Sequence, residues 1–348
     1  MSNPLKQFLK TLLPVTLALS LIIAGCSTMG APMAIVNQGD ASLGWVLITP
    51  DPNARPTPTP FLPSARTPIP TQEPTPTATP DPYLDWPEAE DQIVFLILGS
   101  DYRPESGFRT DIIMLVGVNP KTNQVSVVSF PRDLCVYIPG TYSGYELEAC
   151  DRINTAMQHG FQTTANMFEA NFGIRPDYYA MTNFQGFIAL IDELGGIDVY
   201  TASHFVDECT HETRIGDHCY IDQGKNYMDG DLALWYVRSR YTTSDYDRGR
   251  RAQEVLSGIF ARMMTLNFLA KLPAMFDLYK EYVQTNIPLE VVLSLAKTAA
   301  SINLEEDIYH QVIEPPMVYD ATKSNGAMVS LPQHYMIAPV IQKAFYEQ

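Results

Sequence analysis

The sequence predicts a layered α/β domain, a mixed sheet with helices on both faces. Three observations carry that expectation. Apolar runs rich in β-branched residues alternate with segments of helical period. Two of the runs are joined by a link too short for a parallel crossover, so their strands are antiparallel. The composition, 46% hydrophobic and 18% charged over 348 residues, is enough to enclose a sizeable core.

In chain order, residues 92–98, QIVFLIL, form a continuous apolar run expected of a strand buried on both faces. Residues 111–118, DIIMLVGV, form a second. NPKTN at 119–123 is a turn, and QVSVVSF at 124–130 alternates as a third strand. Ala156, Met157, Phe161, Ala165, Phe168 and Phe172 recur at three-to-four spacing and predict one helix stopped by Gly173. DYYAMT at 177–182 reads as a strand, FQGFIALIDELGG at 184–196 as a helix with a glycine stop, and IDVY as the next strand. Residues 228–241 and 247–264 read as helices.

Before this domain lies a different kind of chain. Lys6 and Lys10 precede an uncharged run to Gly25, too short to span a bilayer comfortably and interrupted by Pro14. It ends in IAGC, the pattern of a bacterial lipobox. Residues 1–25 are therefore expected to be a lipoprotein signal peptide and Cys26 the lipidated residue, with 26–49 a short segment behind it. Residues 50–85 form an extended Pro/Thr-rich linker, in which roughly every third position from Pro50 to Pro82 is proline. Proline has no N–H to donate, so this stretch is expected to hold polyproline II form, about 3.1 Å per residue. The folded domain is expected over 90–348.

Export makes disulfides permissible. The sequence-close pairing is Cys135 with Cys150 and Cys209 with Cys219, each worth ~3 kcal/mol by loop-closure entropy. A zinc site drawn from His204, Cys209, His211, His218 and Cys219 is the rival, but its spacing matches no usual zinc framework.

The net charge of −16 weighs against nucleic-acid binding, which depends on phosphate neutralisation. Yet Arg238, Arg240, Arg248, Arg250 and Arg251 fall within fourteen residues. On a regular helix Arg238 and Arg240 point about 200° apart. Either the helix ends between them or only one reaches a site. Further polar groups stand where predicted strands end: Asp101 and Arg103, Arg109 and Asp111, Arg132 and Asp133, Arg152 and Asn154. Carboxylates and arginines converging there suit Mg²⁺ with a phosphorylated ligand. On spacing alone, such a site and a solvated surface both remain open.

The ordered blocks ILGSDYR, FRTDIIMLVGVNPKTNQVSVVSFPRD, RINTA, PDYYAMTNFQGFIALIDELGGIDV, MDGDLALWYVRSRY and DYDRGRRAQE resemble the LytR-CpsA-Psr family of cell-envelope proteins over residues 93–260. The resemblance implies a three-layer α/β/α fold with a central mixed sheet and a deep apolar pocket for a polyprenyl chain. It implies an exported, membrane-anchored, Mg-dependent phosphotransferase. Such an enzyme moves a glycopolymer with its phosphate from a polyprenyl-pyrophosphate carrier to peptidoglycan or another envelope acceptor. Alternatives are a polyprenyl-pyrophosphate phosphatase and a non-catalytic lipid-binding regulator. By the same resemblance, Asp101 and Asp111 match metal-binding aspartates and are the nominees for general base. Arg109, Arg132, Arg152, Arg238, Arg240, Arg248, Arg251 and Gln253 match pyrophosphate-binding positions, with Arg109, Arg132 and Arg240 in the catalytic set. Ala252 replaces the first Gln of the family's R-x-x-R-Q-Q signature, and Arg250 has no counterpart and reads as a surface residue. The lipid side of the pocket is expected on the helix carrying Met157, Phe161 and Phe168 and on the helix at 184–194, most of whose apolar residues read as ordinary core.

Overall fold

A computed structural model describes residues 91–101, 107–265, 280–303 and 306–347. The chain divides into two units, residues 1–75 and 76–348, and all described residues belong to the second. The expected signal peptide, Cys26, the expected linker and Arg103 lie outside the described residues.

Strands β1 (Ile93–Ser100), β2 (Thr110–Val118) and β3 (Val125–Ser129) run antiparallel in sequence, as the NPKTN turn requires. Short strands β4 (Cys135–Val136) and β5 (Asp151–Arg152) follow, then a 3₁₀ turn at Ile153–His159 and helix α1 (Phe161–Phe172). The single helix expected here is thus broken at Gly160, whose φ of 88° lies outside the helical range. Gly173 caps α1 in the left-handed conformation, as expected. Next come β6 (Tyr178–Asn183), α2 (Phe184–Glu193), β7 (Ile197–Thr201), the hairpin β8 (Phe205–Glu208) and β9 (His218–Ile221), and β10 (Gly224–Met228). Helices α3 (Gly230–Arg238) and α4 (Asp245–Thr265) follow, then β11 (Gln284–Thr285), α5 (Leu289–Ser294), α6 (Ala296–Ser301), β12 (Ile308–Val312), the hairpin β13 (Val318–Thr322) and β14 (Met328–Pro332), and α7 (His334–Phe345).

The six-stranded sheet has the order β11-β6-β1-β2-β3-β12 and is mixed, with β6 parallel to β1 and β12 parallel to β3. Period-2 alternation sends the strand residues to two different cores. Leu96, Leu98, Leu115 and Val128 pack against α1 and α7, where Phe130 meets Phe168 edge-on at 5.2 Å. Met114, Val125 and Val127 face α2, α3 and α4. This is the expected three-layer arrangement. One detail differs from the reading of β1 and β2 as buried on both faces. Ile97 and Ile112, on the α3–α4 side, are only partly buried, because the helices there do not close down on the sheet.

Both expected disulfides form. Cys135–Cys150 joins Cα atoms 5.4 Å apart, and Cys209–Cys219, with Cα atoms 5.7 Å apart, ties off the β8–β9 hairpin. With those thiols oxidised, the zinc rival loses its sulfur ligands. Among the described residues no group of three metal-ligating side chains occurs.

Candidate active site

The space left between the sheet and the helices is a cavity of about 360 Å³. Its walls are Ile97, Ile112 and Met114 from the sheet, Phe184, Phe187 and Leu190 from α2, and Leu234, Val255, Leu256 and Ile259 from α3 and α4. Of the two helices expected to line it, only α2 does so. Met157 and Phe168 lie in the core on the opposite face of the sheet. The close packing of α2 on α3 helps shape the wall. Gly230 rests on Ile188 so tightly that a Cβ there would fall 2.5 Å from the Ile188 carbonyl oxygen.

At one end the cavity wall turns polar, with Asp111, Arg132, Arg238, Arg240 and Arg248. Each reaches that place for a local reason. In the β1–β2 register, Gly99 faces Ile112 and Ser100 faces Thr110, so Asp111 is the extra residue of a β-bulge. A bulge breaks the alternation and re-aims the side chain. Arg132 follows β3 and donates to Asp111 Oδ1 at 2.9 Å. Helix α3 ends at Arg238, and Ser239 is extended (φ −64°, ψ 136°), so Arg240 is freed from the helical offset that would turn it away from Arg238. That settles the alternative left by the spacing: the helix has ended, and both arginines line the cavity. Asp207, buried in β8, holds this turn by accepting from Ser239 Oγ and from the Tyr241 N–H at 3.0 Å. Arg248 enters from the first turn of α4, whose start is fixed by reciprocal hydrogen bonds between Ser244 and Asp247.

Asp245 is the hub, and reading the sequence missed it. Its Oδ1 lies 2.7 Å from Arg248, 3.0 Å from Arg240 and 3.8 Å from Arg132. Arg132 also meets Asp133 at 3.4 Å, and Asp133 meets Arg152 at 3.2 Å. The available signal was its position three residues before Arg248 on a helix start. In this network Arg132, Arg152, Arg240 and Arg248 share the carboxylates of Asp111, Asp133 and Asp245, and Arg238, stacked 4.0 Å over Phe184, adds a guanidinium at the rim with no ion pair among the described residues. Burial works against the charge of Arg132, but Asp111 beside it raises its pKa above the usual guanidinium value. Burial lowers that of Arg248, partly offset by Asp245. Both stay cationic at every physiological pH. An apolar cavity whose polar rim carries four arginines and one carboxylate suits an amphiphile with an anionic head.

The profile of the LytR_cpsA_psr family matches residues 65–335. The chain belongs to the LytR-CpsA-Psr family. Over 225 residues it is 30% identical to the polyisoprenyl-teichoic acid–peptidoglycan teichoic acid transferase TagT of Bacillus subtilis, covering 63% of this chain and 67% of that protein. Over 200 residues it is 30% identical to the regulatory protein MsrR of Staphylococcus aureus, covering 57% of each. The crystal structure of B. subtilis TagV matches with a TM-score of 0.61 at 26% identity, over 73% of this chain and 97% of that one. The chain thus spans between about half and two thirds of the length of the curated relatives it matches.

Not every position that resembles the LytR-CpsA-Psr motifs reaches the cavity. Arg251 is buried away from it, stacked 4.1 Å over Phe205, and donates to the Ser239 carbonyl and Thr243 Oγ1. It braces the turn that carries Arg238 and Arg240. Gln253 is buried too, and its amide bonds Ser129 Oγ and the Gln311 carbonyl, both at 2.8 Å, fixing α4 to the sheet. Arg109 is exposed and does not line the cavity. Arg152 touches the rim only through Asp133. Ala252, where the family signature has Gln, does line the cavity, so the substitution takes an amide from its wall. Arg250 pairs with Asp247 and Glu314 on the surface, as expected of a bystander.

The donor set fits a hard divalent cation. Mg²⁺ takes one or two carboxylates and completes its octahedron with phosphate oxygens and water. Asp111 lines the cavity, and Asp101, buried at the end of β1, accepts the Arg109 N–H at 2.8 Å through one oxygen. Asn154 stands at the same corner: its N–H donates to the Arg132 carbonyl and its own carbonyl accepts from Thr110 Oγ1. Its buried side-chain oxygen has no partner among the described residues. A buried acceptor left so is costly unless a ligand serves it.

Proposed function

We propose that this protein is an exported, lipid-anchored phosphotransferase. It moves a glycopolymer with its phosphate from a polyprenyl-pyrophosphate carrier to a hydroxyl of peptidoglycan or another envelope glycan. The observation that carries the reading is the junction of an apolar cavity with a rim of four arginines and one carboxylate. The polyprenyl chain lies against Ile97, Phe187, Leu256 and Ile259, and the pyrophosphate sits among Arg132, Arg238, Arg240 and Arg248. The name of the relative TagT supports the same substrate class.

The acceptor hydroxyl attacks the phosphorus that carries the glycan. A new P–O bond forms, the bridging P–O bond breaks, and polyprenyl phosphate leaves along the cavity. The nominees to take the hydroxyl proton are Asp101 and Asp111, of which Asp111, paired with Arg132 at 2.9 Å, is the weaker base. Negative charge spreads over the phosphoryl oxygens in the transition state, and the guanidinium groups, fixed by Asp245 and Asp111, stabilise it without reorganising. Asp101 and Asp111 would hold Mg²⁺, which supplies further neutralisation of the leaving phosphate. Cys26 would anchor the chain at the extracytoplasmic face of the membrane, the side on which its acceptor lies.

The test incubates the full chain with a polyprenyl-pyrophosphate-linked glycan and an acceptor glycan, with and without Mg²⁺. Mg-dependent transfer that falls ~10²–10³-fold in Arg132→Ala is expected. Glycan phosphate released to water without transfer would replace the reading with a phosphatase, and tight binding without turnover would replace it with a lipid-binding regulator. For the anchor, Cys26→Ala abolishes fatty-acid labelling; persistent labelling contradicts the lipobox.

A further inference from the structure

A second cavity, about 990 Å³, adjoins the first and shares Leu234, Arg238 and Arg240 with it. Its other walls are of a different kind. They carry the carboxylates of Glu208, Glu212, Asp229 and Asp231 and the rings of Trp235 and Tyr241. Asp229 is committed to the α3 N-terminus and to His211. Glu208, Glu212 and Asp231 have no ion-pair partner among the described residues.

The walls of the groove are tied to the fold. One wall is the β8–β9 hairpin tied off by Cys209–Cys219. Trp235 donates from Nε1 to the Glu208 carbonyl at 2.7 Å and rests one side on Phe205. Tyr241 is 85% exposed, yet its backbone is pinned by Asp207. The exposed ring of Tyr241 and the half-buried ring of Trp235, set among carboxylates without ion-pair partners, complement a sugar. Ring faces take its C–H surfaces and carboxylates accept its hydroxyl or ammonium protons. The same carboxylates repel a phosphate-rich polymer.

Position adds the role. In-line displacement brings the nucleophile in opposite the leaving oxygen. The leaving polyprenyl phosphate belongs to the apolar cavity, so the nucleophile needs an entry that shares the Arg238–Arg240 rim without the apolar walls. Resting on the transferase reading, we propose that this acidic, aromatic groove is the acceptor subsite. It takes an uncharged or amino-bearing glycan and turns away anionic polymers.

Calorimetry on the full chain tests this with three probes for the groove and one for the rim. The groove probes are N-acetylated chitotetraose, its deacetylated form and poly(glycerol phosphate); the rim probe is farnesyl pyrophosphate. The expected results are binding of chitotetraose, at least tenfold tighter binding of the deacetylated form, and no binding of poly(glycerol phosphate). The exposed change Tyr241→Ala weakens chitotetraose at least threefold. Glu208→Gln/Glu212→Gln/Asp231→Asn removes the preference for the deacetylated form. Tyr241→Ala leaves farnesyl pyrophosphate binding unchanged and the triple variant does not weaken it, whereas Arg132→Ala does. Poly(glycerol phosphate) binding that displaces chitotetraose would overturn the proposal, as would oligosaccharide binding indifferent to both groove variants. A wild-type chain that binds the oligosaccharides as expected but ignores farnesyl pyrophosphate would sink the transferase reading and, with it, the acceptor role.

Discussion

Replacing Asp245 with Asn separates the charge logic of the rim from its shape. Asn keeps the volume and removes the negative charge that Arg248, Arg240 and Arg132 share at 2.7, 3.0 and 3.8 Å. Arg248 is 4% exposed and keeps only the Asp111 carbonyl, at 2.8 Å, as a neutral acceptor. Removing one partner of a buried ion pair costs roughly 3–5 kcal/mol. Asp245 is 21% exposed, so the lower end applies, about 3 kcal/mol. For a domain of this size that lowers the melting temperature by about 6–12 °C. A bound pyrophosphate returns the missing negative charge. The melting temperature of Asp245→Asn should therefore rise more on saturating farnesyl pyrophosphate than that of the wild type. Thermal melts of the full chain with and without that ligand measure both effects. A variant that melts with the wild type, or gains no more from ligand than the wild type does, would refute the view that Asp245 neutralises the rim until an anion arrives.

Other changes bear on the walls and the corner. Gly230→Ala places a Cβ against the Ile188 carbonyl and drives α2 and α3 apart; calorimetric unfolding should show a loss of about 1–3 kcal/mol. Asp229→Ala removes the side-chain acceptor of the Leu232 N–H and should cost about 1 kcal/mol near neutral pH, read by urea unfolding. Burial opposes the Asp229 charge, but the Leu232 N–H and His211 hold its carboxyl below the usual range. A depressed carboxylate stabilises above its unfolded pKa and ceases to as pH falls through the folded value, so the difference from wild type should shrink as pH falls below the usual carboxylate range. Asn154→Leu fills the same space without the partnerless oxygen; if that oxygen serves the cation shell, the Mg²⁺ concentration for half-maximal transfer should rise at least tenfold, measured in the transfer assay.

The layered fold was legible because periodicity survives in the strands and in α2, α3 and α4, and because Gly173, Gly195 and Gly196 stop helices where their positive φ allows it. The break at Gly160 was not, since Met157 and Phe161 keep helical spacing across it. The cavity was hidden for a related reason: Ile97 and Ile112 look the same in sequence whether a helix packs on them or stands off. Asp111, Arg132, Arg238, Arg240 and Arg248 were found as a set, yet only the Asp111 bulge and the extended Ser239 explain how they meet. Arg251 and Gln253 belong to the same motif but brace the site from behind. A sequence motif records that residues serve one structure, not which of them touches the ligand.

The central claim is that the glycan-linked phosphorus, and not the glycan alone, moves to the acceptor. A carrier labelled with ³²P only at that phosphorus tests it directly. The account predicts label in the acceptor polymer, in proportion to glycan transferred, and unlabelled polyprenyl phosphate left behind. Label recovered as inorganic phosphate, or retained on the lipid while glycan moves, would contradict it.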